Sequence, residues 1–172
     1  MSGSNTLEAT IGTCDIYIND LFVGYTADEV TLAVTRTVAE LLAGLPLIPV
    51  VKVVTQEEVS ASFEFKQISS ENLSYAMGVI EDPDDVPGFD SVYVGGLTTL
   101  GATKKVDLVH AFPDAREFRM TMWTARPTPE FEMSFSSGDF VGIPVTFKAE
   151  EDSTKEDGKR LARIQIEKLT KS

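Results

Sequence analysis

One cysteine and one histidine stand in this chain of 172 residues. Alone, Cys14 makes no intramolecular disulfide and offers zinc no thiolate cluster. His110 is an equally poor basis for a transition-metal site. Catalysis would also need a nucleophile and an orienting acid at recognisable spacing, and the chain displays neither. No catalytic residue, metal ligand set or cofactor motif is therefore read from the sequence, and an enzyme is the weakest reading. The glycines from Gly95 and Gly96 to Gly101 miss the GxGxxG spacing and have no βαβ unit around them. Glu81, Asp82, Asp84 and Asp85 lack the alternating ligands of a calcium loop and read as a solvated acidic loop closed by Pro87 and Gly88.

Basic side chains are also few. Fifteen lysines and arginines face 27 acids, for a net charge of −12, which is the wrong balance for a protein that grips nucleic acid by its phosphates. Long apolar runs are missing too. Residues 41–51 are too short and too broken by proline to span a bilayer. Residues 1–7 carry neither a basic start nor an apolar stretch, so the expectation is synthesis in the cytosol and no membrane partner.

What the chain does have is alternation. With 42% hydrophobic and 9% aromatic residues it can build one real core. Val59, Ala61, Phe63 and Phe65 alternate with Ser60, Ser62, Glu64 and Lys66, and Val30, Leu32 and Val34 alternate with Glu29, Thr31, Ala33 and Thr35. The same period recurs at Cys14, Ile16 and Ile18; at Val106, Leu108 and Phe112 around His110; at Phe118, Met120 and Met122; at Phe131, Met133 and Phe135; at Ile143, Val145 and Phe147; and at Ala162, Ile164 and Ile166. Such a pattern marks strands with one face buried and one wet. The fold expected is all-β and antiparallel, a sandwich or barrel of nine or ten strands in a single domain over residues 1–172. One short helix over residues 69–78 is laid on its side. Ser69 or Ser70 caps that helix, Glu71 occupies its first turn, Leu73, Ala76 and Met77 form its apolar stripe, and Gly78 ends it. Residues 150–160, charged and containing Asp157-Gly158, read as an exposed hairpin tip.

Residues 36–51, RTVAELLAGLPLIPVV, are apolar and punctuated by Gly44, Pro46 and Pro49. They read as a long connection, which needs a partner surface to cover it, most simply another copy of the chain. The alternative is a helical turn folded over the subunit's own core.

In the order of their parts these features resemble the tail tube (major tail) proteins of long-tailed bacteriophages. The likeness rests on an N-terminal strand pair, the strand from Glu29 to Thr35, the long loop, the strands up to Lys66, the helix at Ser69, and the ending GIPVTFKAEEDSTKEDGKRLARIQIE. The resemblance implies a tail-tube-like fold and a structural subunit that forms hexameric rings. The rings would stack into a tube through which DNA passes without specific binding. Implied partners are further copies of the chain, the tail tip or initiator, the tape measure and the tail terminator, and the implied location is the virion tail. The loop over residues 36–50 would then reach the neighbouring ring through Arg36, Leu41, Leu42, Leu45, Leu47 and Ile48. Glu29, Thr31, Thr35, Ser60, Ser62 and Glu64 suit a channel wall and equally the outer surface of an ordinary sandwich. Arg116 and Arg119 are candidates for ion pairs with an adjacent subunit. Two other readings stay open, the inner tube of a contractile injection or secretion system and a monomeric barrel around a small apolar ligand.

Overall fold

A computed structural model describes residues 2–44, 48–95, 101–128, 130, 132–133 and 142–168. The N-terminal quarter is a long bent hairpin. Strands β1 (Ser2–Ile11) and β2 (Asp15–Ile18) turn at Asn19 and Asp20 and return as β3 (Leu21–Tyr25) and β4 (Val30–Ala43). Both turn residues have positive φ, 50° and 67°, the conformation that a two-residue hairpin needs and that Asn and Asp tolerate. Strand β5 (Ile48–Phe65) runs back along β4. After it come helix α1 (Ser70–Met77), the small hairpin β6 (Ile80–Val86) and β7 (Phe89–Tyr93), and then β8 (Lys104–Ala111), β9 (Glu117–Pro127), β10 (Ile143–Glu150) and β11 (Ala162–Ile166). The fold is thus mostly antiparallel β with one short helix.

All strands except β6 and β7 belong to one nine-stranded sheet, ordered β1-β4-β5-β10-β9-β8-β2-β3 with β11 beside β9. The sheet curls onto itself. Thr26, just after β3, bridges Phe65 at the end of β5. Ala27 N donates to Glu64 O at 2.7 Å and Lys66 N to Tyr25 O at 2.9 Å, which fixes the seam. Alternation then places Ile16, Ile18, Val30, Leu32, Ala61, Phe63, Phe65, Val106, Leu108, Met120, Met122, Ile143, Val145 and Phe147 inside. Phe63 stacks on Phe147 with centroids 5.9 Å apart and meets Phe65 edge-on at 5.3 Å. Each fully buried side chain of this size contributes about 1.5–3 kcal/mol by leaving water, so the core alone explains why the alternating segments are strands.

Helix α1 is capped as its sequence dictates. The Ser69 side chain accepts from Asn72 N, and Gly78 closes the C-terminus at φ 66°. Of its expected apolar stripe, Ala76 is buried, Leu73 packs against the core and Met77 is half-buried, and the polar Asn72 and Ser74 are buried as well. Asn72 Nδ2 donates to Gln67 O at 3.0 Å, and Ser74 Oγ donates to Glu71 O at 2.8 Å. These local bonds use the donors of the two buried polar side chains, while Asn72 Oδ1 is buried without a hydrogen-bond partner among the described residues.

Several sequence expectations change here. The loop over residues 36–50 is strand for most of its length, since β4 and β5 pair from Thr31 and Ser62 out to Ala43 and Ile48. Arg36, Leu41 and Leu42 lie in β4 and Ile48 opens β5, while Leu45 and Leu47 lie outside the described residues. Pro49 is tolerated because β10 pairs with β5 only over residues 60–65, so the outer half of β5 is an edge. Residues 2–7 belong to β1, hydrogen-bonded along β4. The acidic loop is strand β6, paired to β7 with an irregularity between Asp82 and Val86. Residues 150–160 are not the tip of a paired hairpin, because β10 and β11 each pair with β9. The strand expected around Phe131, Met133 and Phe135 has no regular structure at Glu132 and Met133, and its remainder lies outside the described residues.

Candidate assembly surfaces

The outer part of the β4–β5 hairpin projects beyond the barrel as a two-faced arm. Register and alternation put Val38 and Leu42 on one face with Val54, and Ala39 and Leu41 on the other with Val51 and Val53. Leu41, Val51, Val53 and Val54 are 63%, 45%, 54% and 52% exposed. Two register shifts in β5, opposite Thr37/Val38 and Leu41/Leu42, bend the arm. Two cross-strand ion pairs, Arg36 Nε to Glu57 Oε1 at 2.7 Å and Lys52 Nζ to Glu40 Oε1 at 2.8 Å, interrupt its first face. The Lys52 hydrogen bond, then its charge, holds the Glu40 carboxyl below the usual range. An apolar strand pair with both faces in water is not stabilised by its own subunit, and large exposed apolar patches mark contact sites.

Open edges accompany the arm. Among the described residues, β1 pairs only with β4, and the outer half of β5 pairs only with β4. On β11, Ile164 and Ile166 stand opposite the buried Met120 and Phe118, yet are 53% and 57% exposed, so the core layer runs past its cover. Between this edge and β5 lies a groove of about 600 Å³ with Val34, Val59 and Leu161 on its wall and Arg36, Glu57 and Arg160 at its charged rim. Unpaired edges are templates for another chain unless covered.

The candidate channel-wall residues gather on one face. Thr31 is opposite Ser62, and Thr35 is opposite Glu58, with Ser60 between. Ser62 Oγ and Thr146 Oγ1 are 2.9 Å apart, and Lys148 Nζ meets Glu58 Oε1 at 2.7 Å. Glu64 continues this face at the seam, while Glu29 sits exposed just before β4. The face is hydroxyl-rich and acidic, with one cation already neutralised.

Arg116 and Arg119 find their acids within the chain. Arg116 Nε bonds Asp114 Oδ2 at 2.7 Å and its guanidinium covers Phe112; Arg119 bonds Glu117 at 3.0 Å. His110 stays at a boundary, with Nδ1 2.7 Å from Thr13 O and its ring edge-on to Phe112.

Sequence reasoning missed a buried charge network. Asp107 is 5% exposed, takes a hydrogen bond from Thr121 Oγ1, and lies 3.2 Å from Lys105 Nζ, which also pairs with Asp20. Lys105 is raised above its ordinary value, first by the hydrogen bond to Asp20, against opposing burial. Asp107 faces away from Val106 and Leu108 in the strand period, so the alternation reads it as a wet position. Comparison with family models and with curated proteins gives no match for this chain.

Proposed function

We propose that this protein is a structural, self-assembling subunit of a long-tailed bacteriophage tail tube, forming hexameric rings that stack into a conduit for DNA. The observation that carries the reading is the arm at β4–β5, which exposes apolar side chains on both faces and extends from a barrel whose flanking strand edges are open. One face can pack within a ring and the other against the next ring. Joining sheets between subunits also removes the exposed edges.

Charge supports the same reading. DNA that must move should not release counterions into phosphate contacts, because each such contact holds the polymer. The face carrying Thr31, Thr35, Ser60, Ser62 and Glu64 offers hydroxyls and acids to a bore, and the net charge of −12 repels a polyanion. The barrel interior is filled by its own side chains, with Phe65, Phe147, Met120 and Met122 fully buried, which favours a structural subunit over a barrel that encloses a ligand. Light scattering across a concentration series tests the proposal. Masses that step to multiples of a hexamer are expected, and a single-chain mass throughout would favour the ligand-binding barrel.

A further inference from the structure

Trp123 sits at the centre of a pocket that the assembly arm does not use. Its Nε1 donates to Lys159 O at 2.9 Å, which fixes the indole. Lys155 Nζ lies 4.4 Å and the Arg163 guanidinium 5.0 Å from the ring centre, and the surrounding pocket measures about 530 Å³. Neighbouring cations are neutralised: Lys159 pairs with Glu156 at 2.6 Å, and Arg160 pairs with Glu151 and, at 2.7 Å, with Asp157. Lys155 and Arg163 have no carboxylate at ion-pair distance among the described residues. In a chain of net charge −12, two such cations over one aromatic ring form a site for carboxylates that come from elsewhere.

The same chain carries the complement. From Gln67 to Thr103 there is no lysine, arginine or histidine, and the β6–β7 hairpin within this stretch holds Glu81, Asp82, Asp84, Asp85 and Asp90. Beside its turn, Phe89 is 70% exposed, and Tyr93 is 51% exposed. Acids with an exposed aromatic match cations around an aromatic floor. The hairpin packs against α1 in its own subunit, and the described lining of the pocket comes from Trp123 and residues 154–163.

We propose that the Trp123 pocket receives the acidic β6–β7 hairpin of a second copy of this chain. Each copy then offers a hairpin on one side and a pocket on another, a head-to-tail contact of the kind that closes into a ring when the rotation allows. The proposal rests on self-assembly as the function and names the contact that sets neighbour order. A nucleic acid is the poorer occupant, since an extended polyanion laid across the pocket would also meet Glu151, Glu156 and Asp157, all exposed.

Trp123 is the chain's one tryptophan, so its emission reports occupancy directly. The experiment titrates the full-length protein, at low salt, with its full-length Trp123→Phe variant, which keeps the hairpin and is silent in tryptophan emission. A saturable change in emission is expected. The titrant with Asp84 and Asp85 replaced by Asn, or the receiving variant Arg163→Glu, should bind at least about fivefold more weakly. A titrant carrying Lys at both aspartate positions should regain binding to Arg163→Glu. No emission change, or equal binding by the Asn titrant, overturns the proposal. So does a short single-stranded DNA that binds more tightly than the acidic titrant. Tubes that assemble normally from Arg163→Glu would remove this contact and leave the tube reading standing. Titrant binding without tubes would do the reverse.

Discussion

Leu41 stands directly opposite Val51 across the β4–β5 hairpin, and both side chains are exposed, at 63% and 45%. A cross-strand apolar pair normally stabilises a sheet by covering itself on a core. Here the pair has no core beneath it.

The first expectation follows from that isolation. Replacing Leu41 and Val53 by Ser removes apolar surface that the subunit itself does not bury, so the urea midpoint should shift by no more than about 0.5 kcal/mol equivalent. Ring and tube formation, read by light scattering, should be lost. Normal assembly from this variant would remove the arm from the interface.

Asp107 and Asp20 share the cation Lys105 and should behave differently. The Asp107 side chain is 6% exposed and also accepts from Thr121, whereas Asp20 is 74% exposed. Asp107→Ala leaves the buried Thr121 hydroxyl without its acceptor and takes from Lys105 one of its two acids, and should cost about 1–3 kcal/mol in urea unfolding. Asp20→Ala should cost less than about 1 kcal/mol. Because Lys105 is raised in the fold, its contribution is full below the ordinary lysine value of about 10.4 and is lost as pH rises beyond it.

Cys14 gives a second pH effect of known sign. Burial, then the charge of Asp15, pushes its thiol from 9.0 up to about 12, and Sγ donates to Gly12 O at 3.3 Å. Above the unfolded value the unfolded chain releases a proton that the folded chain keeps, so stability falls as pH rises from 9.0 toward about 12. Between pH 8 and 10 the native protein should lose about 1 kcal/mol more than Cys14→Ala does. Thiol reagents at pH 8 should label Cys14 only after unfolding.

Gly78 joins the helix to the sheet. It has φ 66°, and a Cβ there would meet Pro127 Cγ at 3.1 Å. Gly78→Ala should cost about 1–2 kcal/mol in thermal or urea unfolding, through the left-handed conformation and the displaced proline ring. Ser69→Ala at the other end should cost about 1 kcal/mol by removing the hydrogen bond to Asn72 N.

The core strands were legible in the sequence because one face of each is buried: Phe63 and Phe65, Leu108, Met120, and Val145 and Phe147 all lie where the alternation put them. The arm was not, because apolar side chains lie on both its faces and blur the period-two signal. Gly44, Pro46 and Pro49 also resemble loop punctuation unless the strand is known to be an edge. Strand β1 was hidden for the opposite reason, since SGSNTLEATI has too few apolar residues to show a buried face. The helix was readable from its caps, but its buried Asn72 was not, because the apolar pattern gives no sign that this side chain turns back to bond Gln67 O just before the helix. The Trp123 pocket depends on a folded turn lying over β9, and spacing in the sequence carries no trace of it.

Negative-stain electron microscopy of the purified protein tests the central claim most directly. Hollow rings of uniform bore, stacked into tubes at higher concentration, are the expected result. Separate particles of single-chain size at every concentration, with no ring or tube, would contradict it.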